Sequence, residues 1–146
     1  MALSKRGKYW YGESQADIRD ELIRYGKQDD EVPTQFKDIR CKCGSSTFRL
    51  QIDDEAGAAV RTCTKCNKDH AIGDSDEYLD DAELGECSCP CGEEQFELTV
   101  GVSLYEDSED VRWVYIGCRC PACGLTSNYG DWSSEYEDFR EYLKKA

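Results

Sequence analysis

The chain has 146 residues, of which 31 are Asp or Glu and 18 are Lys or Arg, so its formal net charge is −13. A surface with this charge repels nucleic acid and anionic lipid and attracts basic molecules. No stretch reaches the roughly 20 apolar residues that a membrane span needs, and no apolar run follows the basic N-terminus as in a secretory signal. We therefore expect a cytoplasmic protein.

The charge is unevenly distributed along the chain. Residues 1–68 contain 13 basic and 11 acidic residues, whereas residues 69–146 contain 5 basic and 20 acidic ones. The window from Asp69 to Asp110 contains 15 acidic residues and no Lys or Arg. Charge of one sign on one part of a surface accelerates association with a partner of the opposite sign. The acidic half is thus predicted to recognise a basic protein.

The N-terminal segment, residues 1–36, is predicted to contain one helix. Ser14 followed by Asp17 resembles a capping box, and Gly26 can end the helix in a left-handed conformation. Apolar residues recur between them at helical spacing: Ile18, Leu22 and Tyr25. The aromatic run that precedes this helix, residues 9–11, is expected to pack across the rest of the fold, with stacking on bases or on a partner protein as the alternative.

Two later segments repeat one pattern around their cysteines. The first contains CKCG at 41–44 and CTKC at 63–66, and the second contains CPCG at 89–92 and CPAC at 120–123. In both, a Gly-Asp pair follows the last cysteine by the same interval, at 73–74 and at 130–131. This shared order indicates an internal duplication. It divides the remainder of the chain into residues 37–85 and 86–146.

Between the cysteine motifs, apolar residues alternate with polar ones. This period of two is typical of strands, and the polar runs DDEAG and YEDSED mark turns between them. Each repeat is therefore predicted to form a β-hairpin with its cysteines at the open end. The alternating residues are Phe48, Leu50 and Ile52 in the first repeat, and Phe96, Leu98, Val100, Val102, Leu104, Val111, Trp113 and Tyr115 in the second.

Two further helices are predicted. A short one from about Ser75 to Leu84, stopped by Gly85, would link the repeats. At the C-terminus, Ser134 and Glu137 form a start signal, and three apolar residues share one face of the helix that follows: Tyr136, Phe139 and Leu143. The predicted fold class is α+β, dominated by two metal-pinned hairpins with flanking N- and C-terminal helices.

The cysteine motifs predict two tetrahedral metal sites. Such a site needs four soft ligands that converge on one point, and a hairpin supplies two from each strand end when each end turns sharply back. Glycine after C-x-C permits this turn. The first predicted site consists of Cys41, Cys43, Cys63 and Cys66, and the second of Cys89, Cys91, Cys120 and Cys123.

Through CKCG with CTKC and CPCG with CPAC, residues 39–74 and 87–131 resemble the zinc-ribbon group of folds, here in tandem. Both first motifs are one residue shorter than the usual C-x-x-C. The resemblance implies two structural Zn²⁺ ions, and zinc ribbons have nucleic-acid-binding, protein-binding and purely structural roles. CPACG also resembles the iron knuckle of rubredoxins, and tetrathiolate sites accept either metal. We favour zinc, because an electron carrier would need neither two sites nor an acidic hairpin.

Two cysteines and the single histidine fall outside these sites. Cys87 and Cys118 each lie two residues before a ligand and are expected to be close together. The favoured interpretation is a pair of small buried hydrophobic side chains, and the alternatives are a reversible disulfide or a site with ligand exchange. His70 follows Cys66 by four residues and is expected to lie on the surface, because four cysteines already complete the first site.

Four cysteines leave a zinc ion no open position for water, so enzymatic activity is not expected. The leading hypothesis is a non-enzymatic protein that binds a basic partner through its acidic surface. An immunity-type or antitoxin protein that covers the active site of a nuclease toxin is one concrete form. The alternatives are nucleic-acid binding through the basic residues of the first repeat, a rubredoxin-like electron carrier, and acidity that serves only solvation.

Overall fold

The computed structural model describes residues 3–134 and 136–146, and it confirms the predicted α+β class. The described residues form two α-helices, α1 (Asp17–Gln28), which follows the first two strands, and α2 (Phe139–Lys144), which follows the last strand. Neither helix in the described residues has the length and apolar character that spanning a bilayer requires. The strands are β1 (Ser4–Arg6), β2 (Tyr9–Tyr11), β3 (Gln35–Asp38), β4 (Phe48–Asp53), β5 (Ala58–Cys63), β6 (Asp69–Ala71), β7 (Gly85–Glu86), β8 (Glu97–Leu104), β9 (Val111–Arg119) and β10 (Leu125–Ser133).

The strands form two antiparallel sheets that share one pattern. One sheet has the order β6-β5-β4-β7, and the other has the order β1-β2-β10-β9-β8-β3. In each, the predicted hairpin is central: β4 with β5 in the first repeat and β8 with β9 in the second. A third strand follows the second cysteine motif and pairs with the hairpin, β6 in one sheet and β10 in the other. The duplication in the sequence is thus a duplication of a three-stranded unit.

Equivalent residues of the two repeats pair with each other. Phe48 and Phe96 each lie five residues after the last cysteine of the first motif. The N–H of each donates to the carbonyl oxygen of the other, both at 2.8 Å, and both side chains are fully buried. A reciprocal pair of this kind relates the two hairpins by an approximate two-fold axis. The repeats therefore meet through their backbones as well as through their side chains.

The strand that leads into each first cysteine motif pairs with the other repeat. β3 precedes Cys41 but pairs with β8, and β7 precedes Cys89 but pairs with β4. The exchange continues to the equivalent residues Ile39 and Cys87, whose N–H groups donate to Leu98 and Leu50, both at 2.9 Å. Each repeat consequently supplies one strand of its partner's sheet.

One hydrophobic core lies between the two sheets. Its buried side chains come from both repeats, including Leu50 and Ala59 from the first and Leu98 and Ile116 from the second. A smaller cluster is formed where α1 covers the larger sheet. There, a Cβ on Gly117 would lie 2.4 Å from Ile18, so the helix contacts the strand closely. Side chains of the aromatic run, Tyr9 and Tyr11, pack against the main core as expected.

The predicted bounds of α1 need two corrections. The helix runs to Gln28, beyond Gly26, which is buried and tightly enclosed, and a left-handed residue follows at Asp30 (φ 60°). At the start of the helix, half of the predicted capping box is present, because the Asp17 carboxylate accepts the N–H of Ser14 at 3.1 Å, and also that of Glu13 at 2.8 Å. The helix itself begins at Asp17, with Ala16 at the cap position.

The helix predicted from Ser75 to Leu84 is wrong. The segment forms two short 3₁₀ turns, Ser75–Glu77 and Leu79–Asp81, followed by extended chain. Half of its ten side chains are acidic and exposed, so it has no continuous apolar face to pack, and the like charges repel one another along a helix.

The C-terminal helix also begins later than predicted. β10 extends to Ser133, and the Ser134 hydroxyl accepts the N–H of Tyr136 at 3.3 Å in a local turn. Glu135, within the predicted start, lies outside the described residues. The cap is Asp138, whose side chain accepts the N–H of Arg140 at 2.9 Å, and the helix begins at Phe139.

The end of the chain packs against the first repeat. The Tyr142 side chain is fully buried, and Gly73 in its left-handed conformation donates its N–H to the Lys145 carbonyl oxygen at 2.9 Å. A Cβ at position 73 would lie 2.2 Å from the Tyr142 ring. This tight contact explains why the Gly-Asp pair of the first repeat has glycine at position 73.

We expect Gly73→Ala to destabilise the protein much more than Gly7→Ala. The two glycines have nearly identical φ angles, 65° and 64°, but a Cβ on Gly7 meets nothing within 4 Å. Gly7→Ala should cost about 1 kcal/mol for the left-handed backbone, and Gly73→Ala about 2–4 kcal/mol because the Tyr142 contact must also open. Chemical denaturation measures both values, and equal losses would show that Tyr142 does not pack against Gly73.

Candidate metal centres

The first predicted site is assembled in the structure. Its four sulfur atoms all lie within 4.8 Å of one another. The closest pairs join the two motifs across the hairpin, with Sγ–Sγ distances of 3.5 Å for Cys41 with Cys66 and 3.6 Å for Cys43 with Cys63. A disulfide bond would require about 2.05 Å, so these thiols are unbridged and face a common point.

The second site repeats this geometry. The Sγ–Sγ distances are 3.5 Å for Cys89 with Cys123 and 3.6 Å for Cys91 with Cys120, and all four atoms again lie within 4.8 Å of one another. Four thiolates at about 2.3 Å from a tetrahedral ion are separated from one another by about 3.8 Å. Both clusters therefore fit a metal ion, and together they fit a tandem zinc-binding motif.

Left-handed residues form the turns that converge the ligands. Gly44 and Gly92 follow the first motif of each repeat with φ angles of 97° and 98°. Asn67 and Gly124 follow the second motif with φ angles of 61° and 85°. Each of these four residues donates its N–H to the carbonyl oxygen of the first cysteine in the motif that it follows, at 2.8–2.9 Å. Asn is one of the few residues other than Gly that adopt this conformation readily, so CTKCN turns as CPACG does.

Backbone N–H groups stabilise the thiolate form of several ligands. The N–H of Cys66 points to the sulfur of Cys63 at 3.5 Å, and this donation, with one from Lys65, lowers the pKa of Cys63 to about 6. Donation from Glu93 similarly lowers the pKa of Cys91. A metal binds the thiolate and not the thiol, so these hydrogen bonds favour the metal-binding form of Cys63 and Cys91. Burial acts in the opposite direction on Cys89 and Cys120 and raises the pKa of both.

The two centres differ in their surroundings. Beside the first centre, the Arg61 guanidinium stacks on Phe48, with its Cζ atom 4.9 Å from the ring centroid. Burial lowers the pKa of Arg61, and the thiolates of Cys41 and Cys63 act to raise it. The equivalent position beside the second centre is Cys118. The first centre thus has a cation next to it where the second has a neutral side chain.

Cys87 and Cys118 lie together, as expected. Cys118 is fully buried on β9, and Cys87 is half-buried where β7 joins the other sheet. Burial raises the pKa of Cys118 well above its usual value, and the nearby Cys87 thiol adds to the shift. Burial also raises the pKa of Cys87 to about 11. Both are protonated thiols at neutral pH and lie outside the two clusters.

His70 is not a ligand of the first cluster. Its Nε2 atom lies 2.6 Å from the Lys145 carbonyl oxygen, and its ring is half-buried. This hydrogen bond joins β6 to the end of the chain beside the Gly73 contact. The histidine therefore helps to hold the C-terminal segment, a role that its position in the sequence does not reveal.

A second feature, an acidic aromatic cleft of about 540 Å³, was not predicted. The two Gly-Asp pairs of the repeats converge on it, because Asp74 and Asp131 both line its wall. The turn of the first hairpin contributes Asp54 and Glu55, and four aromatic side chains complete the lining: Tyr78, Tyr105, Trp113 and Trp132. The repeat of Gly-Asp in the sequence was a signal of this cleft.

Packing between the first hairpin and β10 forms the wall of the acidic aromatic cleft. A Cβ on Gly57, at the end of the hairpin turn, would lie 3.2 Å from the Trp132 ring. The Trp113 Nε1 atom donates to the Asp131 carboxylate at 3.0 Å, which fixes both side chains. Burial raises the pKa of Asp74 above its ordinary value. One side of the cleft is thus held by the Trp113–Asp131 hydrogen bond and by the packing of Trp132 against Gly57.

No protein-family model matches the chain, and neither does any curated protein or solved structure. We therefore infer function from the geometry of the centres and of the surface around them. Four thiolates complete the coordination of a tetrahedral ion, so these centres can stabilise the fold but have no position for a substrate.

We expect Cys91→Ser to remove one of two bound metal ions and Cys87→Ala to remove neither. Cys91 is one of four converging ligands, and serine is a poor substitute for a thiolate, whereas Cys87 lies outside the cluster. Elemental analysis of the purified proteins gives the stoichiometry. Loss of an ion from Cys87→Ala, or two ions retained in Cys91→Ser, would show that the ligands are misassigned.

Proposed function

We propose that this chain is a non-enzymatic zinc protein that binds a basic protein partner through the acidic aromatic cleft and the acidic surface around it. The observation that carries the proposal is the composition of the cleft. Four carboxylates line it, from Asp54, Glu55, Asp74 and Asp131, and among the described residues no Lys or Arg does.

Zinc is the metal that best suits this role. Both centres are built alike from cysteine, and both stabilise the turns at the ends of hairpins. Iron binds the same ligands and would indicate an electron carrier. The two metals are distinguished by colour, because zinc thiolates are colourless and iron thiolates absorb visible light.

The aromatic side chains of the cleft suit a cationic ligand as well. Tyr78 and Tyr105 are 45% and 42% exposed. Among the described residues, they are the large apolar side chains that lie on the surface. The Arg112 guanidinium already lies 5.9 Å from the Tyr105 ring. An aromatic face next to carboxylates attracts Lys and Arg by cation–π interaction in addition to charge. The cleft therefore fits a Lys or Arg side chain of the partner.

The acidic surface extends beyond the cleft. The segment between the repeats, residues 76–83, contains five exposed acidic side chains, and the turn of the second hairpin contains four more. Such a surface resembles in charge the phosphate backbone of nucleic acid. An immunity-type or antitoxin protein that covers the basic active site of a nuclease toxin is the specific form of the proposal.

Neutralising two carboxylates of the cleft should weaken binding of a basic ligand. In titrations with a deca-arginine peptide at low salt, we expect Asp54→Asn/Glu55→Gln to raise the Kd about tenfold. The matched control is Glu13→Gln/Glu94→Gln, which removes the same charge from exposed positions that do not line the cleft. The control should change the Kd by less than about threefold, because distant exposed charges are screened.

The same variants can be used as bait to capture binding proteins from a cell extract. Basic proteins should bind the wild-type chain at low salt, be released at high salt, and bind the cleft variant less than the control. Equal weakening by both pairs, or binding that is insensitive to salt, would contradict a specific role of the cleft.

A further inference from the structure

A basic pocket of about 450 Å³ lies beside the first metal centre, on a protein that is acidic overall. Six of the chain's 18 Lys and Arg residues line it, together with His70. Among the described residues, Asp69 is the one Asp or Glu whose side chain lines the pocket. The six cations are Lys37, Arg40, Lys42, Arg61, Lys68 and Lys144.

Most of these cations have no acidic partner. In residues 3–134 and 136–146, Lys144 alone of the six makes an ion pair, at 3.2 Å with Glu141. The Arg61 guanidinium donates to the main-chain oxygen of Ala146 at 3.1 Å, and its Nε atom is buried without a hydrogen-bond partner among the described residues. The Asp69 carboxylate accepts the Thr62 hydroxyl at 2.6 Å. The pocket therefore has an excess of positive charge.

Balancing the charge of the metal centre does not explain these cations. A divalent ion with four thiolates has a net charge of −2, which nearby cations would partly neutralise. The second centre has the same ligand geometry, and it provides an internal comparison. At the positions equivalent to Lys37, Arg40, Lys42, Arg61, Lys68 and His70, the second repeat has Gly85, Ser88, Pro90, Cys118, Leu125 and Ser127. A tetracysteine centre of this fold thus forms without cations at these six positions.

We propose that the basic pocket binds a small anion with more than one phosphate group, of the diphosphate or triphosphate class. The cations lie on separate elements around a concavity: Lys37 on β3, Arg40 and Lys42 at the first cysteine turn, Arg61 on β5, and Lys68 before β6. Cations converging from several sides match a compact multivalent anion. Lys and Arg are both common ligands of phosphate oxygens.

The rest of the molecule favours a small ligand over a polymer. A nucleic-acid strand that crossed the pocket would continue over a surface with a net charge of −13, which repels it over about 10 Å at moderate salt. Among the described residues, the lining includes His70 but no Phe, Tyr or Trp on which bases could stack. A small phosphate compound can remain within the pocket and so avoid the acidic surface outside it.

The test is calorimetric titration of the metal-loaded protein with inorganic pyrophosphate. We expect one site per chain and a Kd at least about tenfold higher in Arg40→Gln/Lys42→Gln. Lys68→Gln/Lys144→Gln is a second variant of the same pocket, and all four side chains are exposed. The matched control, Lys5→Gln/Lys27→Gln, removes two exposed cations from elsewhere and should leave the Kd within about twofold.

Metal content and circular dichroism of each variant show whether it is folded. Absence of pyrophosphate binding to the wild-type protein would overturn the proposal, as would equal weakening in the pocket and control variants. A parallel titration measures the binding of a labelled 24-nucleotide single-stranded RNA to the same proteins. Tighter binding of this RNA than of pyrophosphate, lost in the pocket variants, would assign the pocket to nucleic acid and overturn the small-anion proposal.

Discussion

The reciprocal backbone pairing of Phe48 with Phe96 is the constraint on which the rest of the structure depends. It places equivalent strands of two repeats against each other, and the exchange of β3 and β7 between the sheets extends the contact on both sides. Neither repeat has a complete sheet of its own. The metal centres then fix the ends of the hairpins, where the chain reverses through left-handed residues and has few apolar side chains to bury. Pairing between the repeats and the turns of the cysteine clusters thus enclose the core that both repeats share.

Duplication gave this protein two equivalent scaffolds whose surfaces differ. The turns, the sulfur positions and the hydrogen bonds of the cysteine motifs are nearly the same in both repeats. The charges are not, because the first centre is surrounded by cations and the second is not. The acidic aromatic cleft uses both repeats, since Asp74 and Asp131 come from the same position of each. The duplicated frame therefore presents one acidic cleft and one basic pocket, the two surfaces for which we propose binding roles.

The sequence was sufficient for the local features and insufficient for the contacts between repeats. Cysteine spacing identified all eight residues of the two clusters, and alternating apolar residues located both hairpins. The exchange of β3 and β7 could not be predicted, because a strand carries no local signal of which hairpin it joins. β10 was missed because SNYGDW contains Gly and Asp, which are unfavourable in strands, and pairing with β9 overrides that preference. The cleft depends on these long-range contacts, so it was found only in the structure.

We expect the two repeats, each with its metal centre, to open as one cooperative unit. Amide hydrogen exchange, followed by mass spectrometry while a chelator removes the metal, measures this cooperativity. If the repeats stabilise each other through β3, β7 and the Phe48–Phe96 pair, β4–β5 and β8–β9 will lose protection in a single transition. Separate transitions, in which one hairpin remains protected after the other has opened, would show that the repeats are independently stable.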